Sequence, residues 1–133
     1  MPTDSLHTSA VVPAAPADVF DAWLDGDSHT DMTGADATGS PKVGARFTAW
    51  GGYIEGATLE MDRPRRFVQS WRTSQFAPTD ADSRVVVQLE AVQGGTQITI
   101  DHSGLPPAQV ANYLQGWDTH YFTPMRAWFA DRS

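Results

Sequence analysis

The stretch "NYLQGWDTHYFTPMRAWF", Asn112 to Phe129, decides how this chain folds. It has helical spacing, yet it carries six aromatic residues, a glycine at Gly116 and a proline at Pro124. On a wheel of about 100° per residue, Val110, Tyr113, Leu114, Trp117, Tyr121, Phe122, Met125, Trp128 and Phe129 fill roughly half the circumference. Asn112, Gln115, Thr119, Thr123 and Arg126 take the opposite arc. So many large rings need a deep, curved surface opposite them; a flat sheet would not accept them. Pro124 cannot donate to the carbonyl of His120, which predicts a kink. Gly116, beside Trp117, allows close backbone approach or leaves room for a ring.

The upstream sequence supplies such a surface. Leu6 to Val12 alternates as a strand. In "PAAPADVFDAWLDGD", Pro16 suits the first helical position and Asp18 the first turn. Val19, Phe20, Trp23 and Leu24 share one face, predicting a short helix that ends near Gly26. The polar, Gly-rich segment that follows has room for one further short helix. Strands are then predicted over Arg46–Trp50, Tyr53–Asp62, Arg66–Thr73, Ser83–Val92 and Gln97–Ser103, separated by Gly51-Gly52, "DRPR", a loop at "SQFAPTDADS" and a hairpin at "QGG". Pro106 and Pro107 open the last helix. Sequential antiparallel strands with one apolar face are the natural partner of that helix.

Whole-chain properties narrow the function classes. The 133 residues fit one domain, and 41% apolar content is enough for a core. A net charge of −7 argues against nucleic acid and against anionic membranes as partners. With no cysteine, disulfides, thiolate catalysis and cysteine-based zinc sites are excluded. The first ten residues lack the basic and apolar regions of a secretory signal. No apolar run approaches the ~18 residues needed to span a bilayer. The expectation is a cytoplasmic protein, monomer or homodimer, covering residues 1–133 as one unit.

Five stretches in order carry a family likeness: "VFDAWLD" (19–25), "GARFTAWGGYIEGATLEM" (44–61), "RPRRFVQSWRT" (63–73), "GGTQITIDHSGLP" (94–106) and "GWDTHYFTPMRAWF" (116–129). With these the chain resembles the START-like (SRPBCC) superfamily, and within it the single-domain bacterial group related to the C-terminal domain of the activator of the heat-shock-protein-90 ATPase. The resemblance implies an α+β helix-grip fold: a curved antiparallel sheet of six or seven strands around a long C-terminal helix, with one or two short helices after the first strand. It also implies an apolar cavity between sheet and helix. On that fold the lining would draw on Phe20, Trp23, Phe47, Tyr53, Leu59 and Trp71, and further on Leu89, Ile100, His102, Trp117 and Tyr121. Where relatives often carry a tryptophan after the second short helix, this chain has Met32. If that position borders the cavity mouth, the mouth is more adaptable here.

The expected function is binding of a small hydrophobic molecule, aromatic or polyketide-like, oriented by the tyrosines and His102. The alternative is a cyclase- or hydrolase-like enzyme. Asp118 falls inside the apolar arc, where a carboxylate would be desolvated or paired with an arginine. His102 shares a strand face with Ile98 and Ile100 and is either a base or a hydrogen-bonded core residue. His120 reads as a rim position. A second alternative is a chaperone-associated protein. Contact with a chaperone is not expected, since the activator's additional amino-terminal domain has no counterpart in 133 residues. Asp25, Asp27, Asp31 and Asp36 do not match a calcium loop, and a site built on His29 is disfavoured, so no metal and no cofactor is expected. Phosphate-binding glycine motifs and the G-x-S-x-G nucleophile motif are missing. Phe67, Gln69 and Trp71 should point inward, with Arg46, Arg66 and Arg72 outward toward Glu60 and Glu90.

Overall fold

A computed structural model describes residues 3–132. Strand β1 (Asp4–Val12) is followed by helices α1 (Pro16–Leu24) and α2 (Gly26–Thr33). Strands β2 (Arg46–Ala49), β3 (Ile54–Asp62), β4 (Arg66–Thr73), β5 (Ser83–Val92) and β6 (Gly95–Leu105) then run as an antiparallel meander. β1 closes against β6, giving one six-stranded sheet in the order β1-β6-β5-β4-β3-β2. The C-terminal helical rod begins with a 3-10 turn (Pro107–Gln109) and continues as α3 (Val110–Trp117), a π turn (Asp118–Phe122) and α4 (Thr123–Arg132). This is the helix-grip arrangement.

Local chemistry sets the boundaries. Pro16 opens α1 as expected. Asp25 caps α2, its carboxylate accepting from the Ser28 amide at 3.0 Å. Gly26 starts α2 because a Cβ there would sit 2.8 Å from the Gly39 nitrogen. Gly56 permits a still closer approach: a Cβ would lie 1.9 Å from the Ser70 carbonyl and 2.8 Å from the Phe47 ring.

The core lies between the inner sheet face and the helices. Phe67, Val85, Val87, Ile98 and Ile100 are buried from the strands, and Phe20, Trp23, Trp117, Phe122 and Met125 from the helices. Phe67, Gln69 and Trp71 do point inward. On the outer face Arg66 pairs with Glu60 at 3.0 Å and Arg72 with Asp82 at 2.9 Å, but Arg46 and Glu90 form no ion pair among the described residues. Arg84 takes the second oxygen of Glu60, at 3.3 Å.

The regular-wheel reading of the last helix is corrected by one feature. Tyr113, Trp117, Tyr121, Met125 and Phe129 are all buried and are spaced by four. In a pure α-helix each such step over-rotates by about 40°. The wider π turn absorbs part of that drift and keeps the five in one line. It lies directly before Pro124, and the Thr123 amide donates to the Asp118 carbonyl, five residues back. It also displaces α4 relative to α3 by up to about one residue's rotation, 100°. Leu114, 43% exposed, and Asp118 then fall outside the buried line that a regular wheel assigns to them.

Candidate functional site

The space between sheet and helix is occupied by the protein's own rings. Trp117 sits at its centre, with Trp23 and Trp71 at ring-centroid distances of 6.0 and 5.9 Å, and Tyr121 stacks on Trp23 at 5.2 Å. The residual space here, bounded by Trp23, Phe47, Gln69, Trp71, Trp117 and Tyr121, is only about 10 Å³.

Two hydrogen-bonded histidines lock this packing. The Trp117 indole donates to Nδ1 of His102 at 3.2 Å. His102 must then carry its proton on Nε2, which donates to the Ser83 hydroxyl at 2.8 Å. Ser83 passes its own proton to the Trp71 carbonyl at 2.7 Å. Burial pushes the His102 imidazole down to a pKa of about 3, so it is neutral. On the other side, the Tyr121 hydroxyl donates to Nε2 of His29 at 2.9 Å, and Nδ1 of His29 donates to the Trp23 carbonyl at 2.8 Å. Burial lowers the His29 pKa, partly offset by that carbonyl, and raises that of Tyr121.

The open space lies instead on the flank of α3 and the π turn. There a cleft of about 580 Å³ is walled by Trp50, Tyr53, Ile54, Trp71, Tyr113, Trp117 and Tyr121, with Gln75, Asn112, Gln115, Thr119 and His120 along its edges. The Tyr53 hydroxyl donates to Gln75 at 2.6 Å. Tyr113 receives the Thr73 hydroxyl at 2.6 Å and donates to Gln109. Burial pushes the Tyr113 pKa up to about 12. Among the described residues no Lys, Arg, Asp or Glu lines the cleft. A second groove of about 660 Å³ contains Asp18, Asp21, Asp25, Ser28, Trp128 and Arg132. Its polar groups are largely engaged with one another and with neighbours: Asp21 is held below its ordinary pKa by Arg63, Asp25 caps α2, and Arg132 stacks over Trp128 at 3.8 Å.

Trp50 stands apart. It occupies the left-handed region, at φ 54°, followed by Gly51 and Gly52 at φ 67° and 94°. For a residue with a Cβ that conformation costs on the order of 1–2 kcal/mol. The Gly51 amide donates to the Asp36 carbonyl at 2.9 Å, and the Tyr53 amide to the Trp50 carbonyl at 3.2 Å, so the turn is pinned from both sides. The indole packs edge-on against His120 at 4.8 Å. Its buried Nε1–H has no hydrogen-bond partner among the described residues.

Of the residues expected to line a cavity, Tyr53, Trp71, Trp117 and Tyr121 meet on the cleft. Trp23 and Phe47 border the 10 Å³ remnant. Phe20, Leu89, Ile100 and His102 are core. Leu59 is 47% exposed, because β3 has a bulge between Thr58 and Glu60 that takes it out of register. His102 does not line the cleft; it is fully buried, with its ring nitrogens engaged by Ser83 and Trp117. Asp118 is removed as a candidate because it faces solvent, 4.0 Å from Arg126. Met32 is 2% exposed and does not border the cleft. Among the described residues no three His, Asp or Glu side chains converge on a possible metal site. Sequence reasoning missed Trp50, Gln75 and the edge Asn112–Gln115–Thr119. The edge was visible as the polar border of the wheel, whereas Trp50 read as the end of a strand.

The profile of the family described as Activator of Hsp90 ATPase homolog 1-like protein matches residues 13–130. An activator of 90 kDa heat shock protein ATPase homolog from Dictyostelium discoideum is 24% identical over 117 residues, which cover 86% of this chain and 30% of that protein. An HSP90 activator from Plasmodium falciparum superposes with a TM-score of 0.82 at 22% identity, covering 95% of this chain and 96% of the other. CalU16 from Micromonospora echinospora superposes with a TM-score of 0.68 at 20% identity, covering 89% and 68%. At such identities the structural matches establish the shared fold.

Proposed function

The chain belongs to the activator of Hsp90 ATPase homolog 1-like family, and on this fold we propose that it binds a small, flat hydrophobic molecule in the flank cleft. The observation that carries this reading is the cleft itself: about 580 Å³, walled by three tryptophans and three tyrosines. That is the size and lining of small-molecule sites, in which apolar walls give affinity and a few polar groups give orientation. Gln75, Asn112, Gln115 and His120 are such groups. Among the described residues no Lys, Arg, Asp or Glu lines it, which favours a neutral ligand, aromatic or polyketide-like.

Native mass spectrometry of the purified protein, compared with its denatured mass, tests the proposal. A reproducible extra mass that denaturation releases is the expected result. A bare mass, combined with no binding of naphthalene-sized aromatic probes, would overturn it. The names of the Dictyostelium and Plasmodium relatives favour a second reading, a chaperone-associated protein. This chain spans 30% of the Dictyostelium protein, so that activity is carried over as a proposal only. Enrichment of a 90 kDa chaperone in a pull-down, unaffected by aromatic probes, would support it over the first.

A further inference from the structure

Buried donors in folded proteins are nearly always paired, and an exception calls for a physical reason. Trp50 carries such an exception among the described residues, on the wall of the cleft. Two further observations bear on it. Its backbone is held in a conformation that side chains rarely adopt, and two pinning hydrogen bonds from Gly51 and Tyr53 keep it there. Its ring meets only one other ring among the described residues, that of exposed His120 at the cleft rim. These hydrogen bonds hold the backbone of the turn, so any adjustment at this residue falls to the indole. Three neighbouring donors are engaged: Trp117 on His102, Tyr121 on His29 and Tyr113 on Gln109.

We propose that the Trp50 indole N–H is the recognition donor of the cleft, selecting neutral aromatic ligands that carry a carbonyl oxygen. This rests on the cleft being a ligand site and adds the chemical class it takes. A carbonyl, and not a carboxylate, is specified because no Lys or Arg lines the cleft among the described residues and the chain carries a net charge of −7. Presenting the donor requires the ring to turn against His120, which exchanges an unpaired buried donor for a paired one.

The test uses two probes of matched shape, 2-acetonaphthone with a carbonyl and 2-isopropenylnaphthalene without one. Both are titrated calorimetrically into the wild-type protein and Trp50→Phe. Because the ketone is intrinsically better hydrated, the comparison between proteins decides, as in a double-mutant cycle. The preference for the ketone should be roughly 2- to 10-fold greater in the wild type, the range of one neutral hydrogen bond. Equal preference in both proteins would overturn the inference and leave the cleft as a ligand site. Failure of both probes to bind either protein would remove the site and the inference together. Should Trp50→Phe not fold, the wild-type Trp50 indole resonance in a ¹H–¹⁵N spectrum gives the same answer. It should move downfield with the ketone and not with the alkene; identical shifts would refute the assignment.

Discussion

Along the inner side of the C-terminal helix, Trp117 donates to His102, which donates to Ser83, which donates to the Trp71 carbonyl, and almost no space is left around them. Along the flank of the same helix, Trp50 is strained and unpaired beside a 580 Å³ cleft. Both regions are built from tryptophan and histidine, so residue type does not separate them. The difference is whether each fully buried side-chain polar atom finds a partner among the described residues. Where all do, aromatic rings act as filling. Where one does not, the same rings act as a wall around space that something else can occupy.

The strongest way to break this comparison is to remove the inner keystone. Trp117→Ala should cost about 3–5 kcal/mol, read from urea unfolding; a loss under about 1 kcal/mol would mean that the inner region is not filled as described. Ser83→Ala deletes one small group but strands the His102 N–H and the Trp71 carbonyl, at a cost of about 1–3 kcal/mol. If it is neutral, the chain of donors does not hold the core.

Acid sharpens the contrast further. His29 and His102 bind protons more weakly folded than unfolded, so more protons are bound by the unfolded chain. Their contribution is complete above the ordinary value of 6.5 and is lost as the pH falls from there toward about 3 for His102. For His102 the slope should approach ~1.4 kcal/mol per pH unit, with His29 adding in the same direction. Unfolding measured at several pH values between 6.5 and 4.5 should show it, and His102→Gln should reduce it. A flat profile would place both rings in water. Asp21, held low by Arg63, contributes only in stronger acid. The smallest effect is expected at Leu59→Lys, within about 0.5 kcal/mol, since the bulge already exposes Leu59. A larger loss would mean that the bulge is misplaced.

Most of the fold was legible in the sequence because it is written in local periodicity. Arg66–Thr73 and Ser83–Val92 read as strands with the bounds observed, and alternation alone aimed Phe67, Gln69 and Trp71 inward. What failed were departures from a regular period. The bulge at Leu59 and the π turn at Asp118–Phe122 each add a residue, and each misplaces its neighbours on an ideal lattice: Leu59 on the strand, Leu114 and Asp118 on the helix. A run of buried residues spaced by four was the one available sign of the π turn. The candidate site was harder to read. Its walls are half visible as rings on the helix, but its space is whatever the rings leave unfilled. Trp50 reaches it only through a left-handed turn before two glycines.

The central tryptophans also have an optical consequence. With centroids 6.0 and 5.9 Å apart and tilts of 32° and 35°, Trp23, Trp117 and Trp71 are close enough to share excitation. Excitation of any one can therefore pass to its neighbours before it is emitted. Two of them, Trp71 and Trp117, form part of the cleft wall. A quencher resting there would darken Trp23 as well, although that indole lies outside the wall, and the protein's emission would report cleft occupancy with the gain of a three-ring antenna.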